Sequence, residues 1–234
     1  AGNRDSAMVY VDSLHARLDT MTLANPRKVS IYQNMASVYQ YYGMFKTAIS
    51  LYEASIEGSR KKTNKSGLGI AMANLAELYD ESEDDVNAVR YSKEALGYLS
   101  GINMPFMLTA SNLAAYYGNL GKYDSALYYL RLSDSVTHIT GDEVQEMVAN
   151  KLILFDILFN QKKYNQAKAL LISAGPKLRE NPYPSGLVKY RISMAMADTA
   201  EHRYSVARDT LLSALSIAKE NDQEIYVILS LQAL

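Results

Sequence analysis

Apolar and small residues recur along this chain at i, i+1 and i+4, the spacing that places them on one face of a helix. The clearest instance is "SNLAAYYGNLGKYDSALYYL", residues 111 to 130. There Leu113, Ala114 and Tyr117 precede a turn at Gly121, and Tyr123 and Ala126 follow it. Met35, Ala36, Tyr39, Gly43, Phe45 and Ala48 repeat every one of these positions. Leu75, Ala76, Tyr79 and Ala88 repeat the helical ones around a turn that has become acidic. Leu154, Phe155, Tyr164 and Ala167, and then Met194, Ala195, Tyr204 and Ala207, are weaker copies. In all five the second small residue follows the anchor by 12 positions, and successive anchors are offset by 40, 38, 41 and 40 residues.

Each unit therefore predicts two amphipathic helices joined by a short turn. Gly43 and Gly121 stand where a helix stop needs left-handed backbone. Alanines at the helix crossings let backbones approach, and tyrosines of neighbouring helices fill the flanking grooves. Pro26, Pro105, Pro182 and Pro184 fall between units, where helices must end. Pro176, beside Gly175, falls inside the fourth unit's second helix and is expected to kink it or end it early. The expected units run over about 27–65, 66–103, 104–141, 142–182 and 183–221. A lone second helix over 4–22 precedes them and a lone apolar first helix over 222–234 follows, so the chain reads as a segment of a longer protein.

The pattern resembles the tetratricopeptide repeat (TPR), carried in the first full unit by Tyr32, Met35, Ala36, Tyr39, Ala48, Tyr52 and Ser55. These units are longer than the usual period of about 34 residues. In the last two units the tyrosine of the first helix has become Leu158 and Asp198. The resemblance covers nearly the whole chain and implies an all-α fold: a right-handed superhelical solenoid of antiparallel helix pairs, with the first helices lining a concave face.

Composition narrows the function. With 24 Lys+Arg against 25 Asp+Glu and a formal net charge of -1, the chain lacks the clustered cations that phosphate binding needs, so no nucleic acid is expected on this segment. The apolar run "KLILFDILF" is broken by Asp156 and is far shorter than the roughly 20 residues that span a bilayer, so no membrane insertion is expected here. Without cysteine there are no disulfides, thiolate metal sites or cysteine nucleophiles, and the compartment stays open between cytoplasm and periplasm. His15, His138 and His202 lie in different units with no ligand spacing, and no nucleophile elbow or phosphate loop occurs; no cofactor, metal or catalytic residue is expected. "DESEDD", Asp80 to Asp85, fails the EF-hand spacing and reads as a solvated acidic turn whose carboxylates favour the next helix N-terminus. "RKKTNK", 60 to 65, closes the preceding helix with cations at its negative end.

The remaining candidates are polar and aromatic. Asn34, Asn74 and Asn112 each stand immediately before the Met/Leu-Ala pair. An amide has two donors and an acceptor, so equivalent amides along one face can pair with an extended peptide backbone without reading its side chains. This resembles the asparagine ladder of peptide-binding TPR proteins; the plainer alternative is an amide bonded to a neighbouring helix. The carboxylate clamp of other TPR proteins needs cations where this chain has Gln33 and Ser37, Ala73 and Glu77, Ser111 and Ala115. Glu77, Asp80 and Asp156 would instead make the groove acidic. Among 19 tyrosines, Tyr41 and Tyr42, which follow Tyr39 closely, and Tyr116, which adjoins Tyr117, are less well explained by the repeat, so some of them are expected to face solvent or a groove; Asn119 is left over in the same way.

The leading expectation is a non-enzymatic protein-interaction module holding a peptide segment or partner helix on its concave face. A second is a sensory or regulatory input region, since arrays of this style resemble those fused ahead of a membrane helix and an output domain in Bacteroidetes-type regulators. A third is a small-molecule or glycan binder near Tyr41 or Pro176. The apolar final helix is expected to offer a homodimer contact.

Overall fold

The structure, a computed structural model, describes residues 2–18, 21, 26–60, 65–99, 104–140, 143–180, 182–221, 227 and 230. Among them every regular element is helical: α1 (Gly2–Leu18), α2 (Pro26–Tyr41), α3 (Phe45–Arg60), α4 (Lys65–Glu81), α5 (Asp85–Tyr98), α6 (Met104–Asn119), α7 (Tyr123–Thr140), α8 (Glu143–Asn160), α9 (Tyr164–Glu180), α10 (Pro184–Ala200) and α11 (Tyr204–Glu220). No helix among the described residues is long and apolar enough to cross a membrane. The helices form two compact units, Ala1–Leu120 with α1 to α6 and Gly121–Leu234 with α7 to α11. Nearly all of the final helix expected over 222–234, with its homodimer contact, lies outside the described residues.

In the first unit α2 packs on α3 and α4 on α5, while α3 also packs on α4 and α5 on α6. In the second, α8 packs on α9 and α10 on α11, with α7 against α8 and α9 against α10. The repeated small residues are buried in every unit. Ala36, Ala76, Ala114, Phe155 and Ala195, and Ala48, Ala88, Ala126, Ala167 and Ala207, are all between 0% and 3% exposed. Any larger side chain there would force helices apart in a core already filled by Met35, Tyr52, Met72 and Leu75. Phe155, the one bulky anchor, is accommodated among small partners, Ala167 and Ala197.

The turns share one geometry. Gly43 (φ 69°), Glu83 (62°), Gly121 (68°), Lys162 (61°) and His202 (61°) are all left-handed, each five residues before its unit's repeated alanine. In the first turn the Gly43 N–H donates to the Gln40 carbonyl (2.8 Å) and the Met44 N–H to that of Tyr39 (2.8 Å), the paired bonds of a Schellman stop. Glu83 with Asp84, Lys162 with Lys163, and His202 with Arg203 make the same two bonds. Glycine is thus absent from three turns whose hydrogen bonds still impose its conformation.

A left-handed non-glycine residue costs about 1–2 kcal/mol, against roughly 0.5–1 kcal/mol of extra chain entropy lost by glycine. Lys162→Gly is therefore expected to stabilise the second unit by roughly 0.5–1 kcal/mol. It should raise the urea midpoint at unchanged m-value. A midpoint unmoved or lowered would show that the turn tolerates lysine without strain.

Pro176 does not end its helix. α9 continues through it to Glu180, because Leu178 and Gly175 are buried and hold the last turn. Proline offers no N–H to the carbonyl of Ile172 one turn earlier, and Ile172 is 58% exposed.

Candidate functional site

The three asparagines keep equivalent places on α2, α4 and α6, each next to a buried core residue: Met35, Leu75 and Leu113. Asn34 is exposed, and Asn74 and Asn112 are partly exposed. None of the three amides has a hydrogen-bond partner among the described residues. Among the described residues they make no cap, cross-link or bridge to a neighbouring helix. Tyr41, at the end of α2, is 77% exposed and meets Tyr42 edge-on, ring centroids 5.1 Å apart. Gln33 is partly exposed and Ser37 exposed. The Ser37 hydroxyl donates to the Gln33 carbonyl (3.1 Å) and shares a hydrogen bond with the Tyr52 hydroxyl (3.0 Å), which ties this edge of α2 to α3.

Glu77, Tyr116 and Asn119 come together with Asp80. Tyr116 is 3% exposed, packed with Ala76 and Ala88, so it is a core residue rather than a groove wall. The Asn119 amide donates to Asp85 Oδ1 (2.9 Å) and, at longer range, to Asp80 Oδ1 (3.4 Å), joining α6 to the turn between α4 and α5. That turn is not uniformly solvated. Asp84 caps α5, accepting from the Asn87 backbone N–H (3.1 Å) and side-chain amide (2.6 Å), and these bonds hold its carboxyl below the usual range. Asp80 and Asp85 are half-buried beneath it. Burial, then the Asp85 charge and a carboxyl hydrogen bond shared with Asp85, then Glu77 and Glu81, push Asp80 up to about 7. The same surroundings raise the Tyr116 phenol: burial first, then Asp80, Glu77, Glu81 and Asp85. The sequence pattern missed this gathering because its members are contributed by three helices.

Asp156 belongs to the second unit, on α8. Its side chain reaches water, yet protein atoms crowd around it, and that desolvation pushes its carboxyl up to about 6 against the opposing pull of Lys189. The second unit also explains the lost tyrosine of the fifth repeat. Asp198 is 3% exposed, and its carboxylate accepts from Lys168 Nζ (3.0 Å) and from the Arg203 guanidinium. Glu201 joins both cations, at 2.6 Å from Lys168 and 2.9 Å from Arg203. Asp198 also supplies the carbonyl that ends α10, so the ion pair with Arg203 stands where an apolar contact usually closes a Schellman turn.

No group of three or more His, Asp or Glu side chains among the described residues is placed to hold a metal ion. Comparison with known proteins locates the fold. The solved structure of BtubC (BKLC) from P. vanneervenii is similar over 94% of this chain and 91% of its own, with TM-score 0.70 and 18% identity. A Rap protein complexed with Competence and Sporulation Factor gives TM-score 0.79 at 14% identity over 94% of this chain. This chain spans 61% of that protein's length. A putative kinesin light chain of nearly identical TPR-like repeats from Podosopora anserina gives TM-score 0.63 at 16% identity, over 85% of this chain and 98% of its own. This chain has the all-α fold of the TPR-like repeat proteins. No family model and no curated protein matches its sequence.

Proposed function

We propose that the chain is a non-enzymatic protein-interaction module that holds an extended peptide segment along the face of its first helices. The observation that carries this reading is the set of amides on Asn34, Asn74 and Asn112, at equivalent positions on three successive first helices and without partners among the described residues. A structural role would engage these groups; a ligand backbone, with a donor and an acceptor per residue, would satisfy them. The exposed Tyr41 at the end of the row adds apolar area with a polar tip, a combination suited to interfaces. The Rap protein, complexed with its factor, puts a similar fold to ligand binding.

The test is a peptide selected on the whole chain from a displayed random library. Two amide contacts at about 1 kcal/mol each make Asn74→Ala with Asn112→Ala expected to weaken that peptide roughly tenfold or more. Helical circular dichroism should stay unchanged. Undiminished affinity in a folded double variant would remove the asparagine row from the site.

A further inference from the structure

We infer that Gln40 presents a fourth amide to the peptide, beside Asn34, Asn74 and Asn112, and that the buried Tyr52 hydroxyl positions it. The inference rests on the peptide-binding reading and adds one contact residue and its support. Gln33, Ser37 and Gln40 follow one another at i, i+4 and i+7, a single stripe of α2. Asn34 and Tyr41 form the adjoining stripe, and all five residues are exposed or partly exposed. The backbone at Gln40 is fixed as well: its carbonyl accepts from the Gly43 N–H (2.8 Å) in the stop that ends the helix.

Tyr52 reaches this face from behind. It belongs to α3, is 1% exposed and packs in the core of the first unit. Its hydroxyl donates to Gln40 Oε1 (3.3 Å) and lies 3.0 Å from Ser37 Oγ. With the amide oxygen held by that hydroxyl, the N–H groups on Nε2 are turned away from it and have no partner among the described residues. These hydrogens are donors only, so the ligand group they suit is a peptide carbonyl. Packing does not ask for the hydroxyl. The equivalent places of the other repeats hold Ser92, Leu130, Leu171 and Leu211, each buried, and the three leucines carry no polar side-chain atom. Nor does the helix pair ask for an amide at Gln40, where the other repeats have Asp80, Gly118, Phe159 and Thr199. One partner satisfies a buried phenol, and Ser37 supplies it. The second bond orients a partly exposed side chain, and a side chain ordered before the ligand arrives loses less freedom on binding.

The test again uses a peptide selected on the whole chain from a displayed random library. Gln40→Met keeps the length of the side chain and removes the amide; it should weaken that peptide roughly fivefold, the scale of one neutral hydrogen bond. Tyr52→Phe keeps the ring in the core and removes the hydroxyl alone. It should weaken the peptide about threefold, the scale of ordering one free side chain. In a Gln40→Met background Tyr52→Phe should have no further effect, since its route to the ligand is that amide. The loss from Asn74→Ala with Asn112→Ala should multiply with the loss from Gln40→Met, because separate amides meet separate groups. Undiminished affinity in Gln40→Met, with the asparagine double variant still weakened, would remove Gln40 and leave peptide binding standing. An equal loss from Tyr52→Phe in both backgrounds would mean that it acts through the fold, and would overturn the positioning role. Failure to select any peptide would overturn this inference and the peptide reading together.

Discussion

Asp80→Asn is expected to be more stable than the wild-type chain above about pH 7 and no more stable near pH 4. The folded carboxyl, at about 7, titrates well above its ordinary value of 3.8. Between those values the folded chain holds a proton that the unfolded chain has released. Stability therefore falls as pH rises through this window, and the whole deficit is present above it. The displacement corresponds to roughly 4 kcal/mol, and water reaching a half-buried carboxyl reduces it to roughly 2 kcal/mol. Asparagine removes the charge while keeping an oxygen for the Asn119 amide and a donor for Asp85. Urea unfolding at about pH 4.5 and about pH 8 measures the difference. Equal gains at both values would mean that the substitution acts through packing and that Asp80 carries no electrostatic strain.

Asp198→Ala is expected to destabilise the second unit by roughly 3 kcal/mol. Lys168 has 15% of its side chain exposed, and Asp198 only 4%. Removing the carboxylate leaves a nearly buried ammonium with Glu201 alone and unties Arg203 from the end of α10. The attraction within such a pair is large, but so is the desolvation of both ions, so replacing both by apolar groups is close to neutral. Asp198→Tyr with Lys168→Met, which restores the tyrosine of the better-preserved repeats, is accordingly expected to recover most of the loss. Denaturant unfolding of the two variants separates these cases. A single-variant loss under about 1 kcal/mol would place the cluster with ordinary surface ion pairs.

The helix pairs, their crossings and their turns were readable because each is written locally. An alanine 12 positions after its anchor marks a crossing whatever surrounds it, and all ten of these positions are buried. Glycine showed two of the left-handed turns but not those at Glu83, Lys162 and His202. Their conformation is imposed by hydrogen bonds that any residue can make, so composition carries no trace of it. The early end expected at Pro176 does not occur, for the converse reason. A proline predicts a break, but burial of Leu178 beyond it outweighs one lost hydrogen bond on an exposed face.

The candidate site divides the same way. Asn34, Asn74 and Asn112 stand out in the sequence because they share a register, and Tyr41 because the repeat leaves it unexplained. Tyr116 also looked unexplained, yet it is buried, since its packing partners Ala76 and Ala88 lie in the preceding repeat. Asn119 reaches Asp85 across 34 residues, and Lys168 reaches Asp198 across 30.

By itself, then, the sequence determined the repeating unit, because helical periodicity and small residues at crossings act within one turn of chain. Only the tertiary structure decided which charges are compensated and which are not. Charge energies depend on desolvation and on distances of a few ångströms, and stacking one repeat on the next sets both.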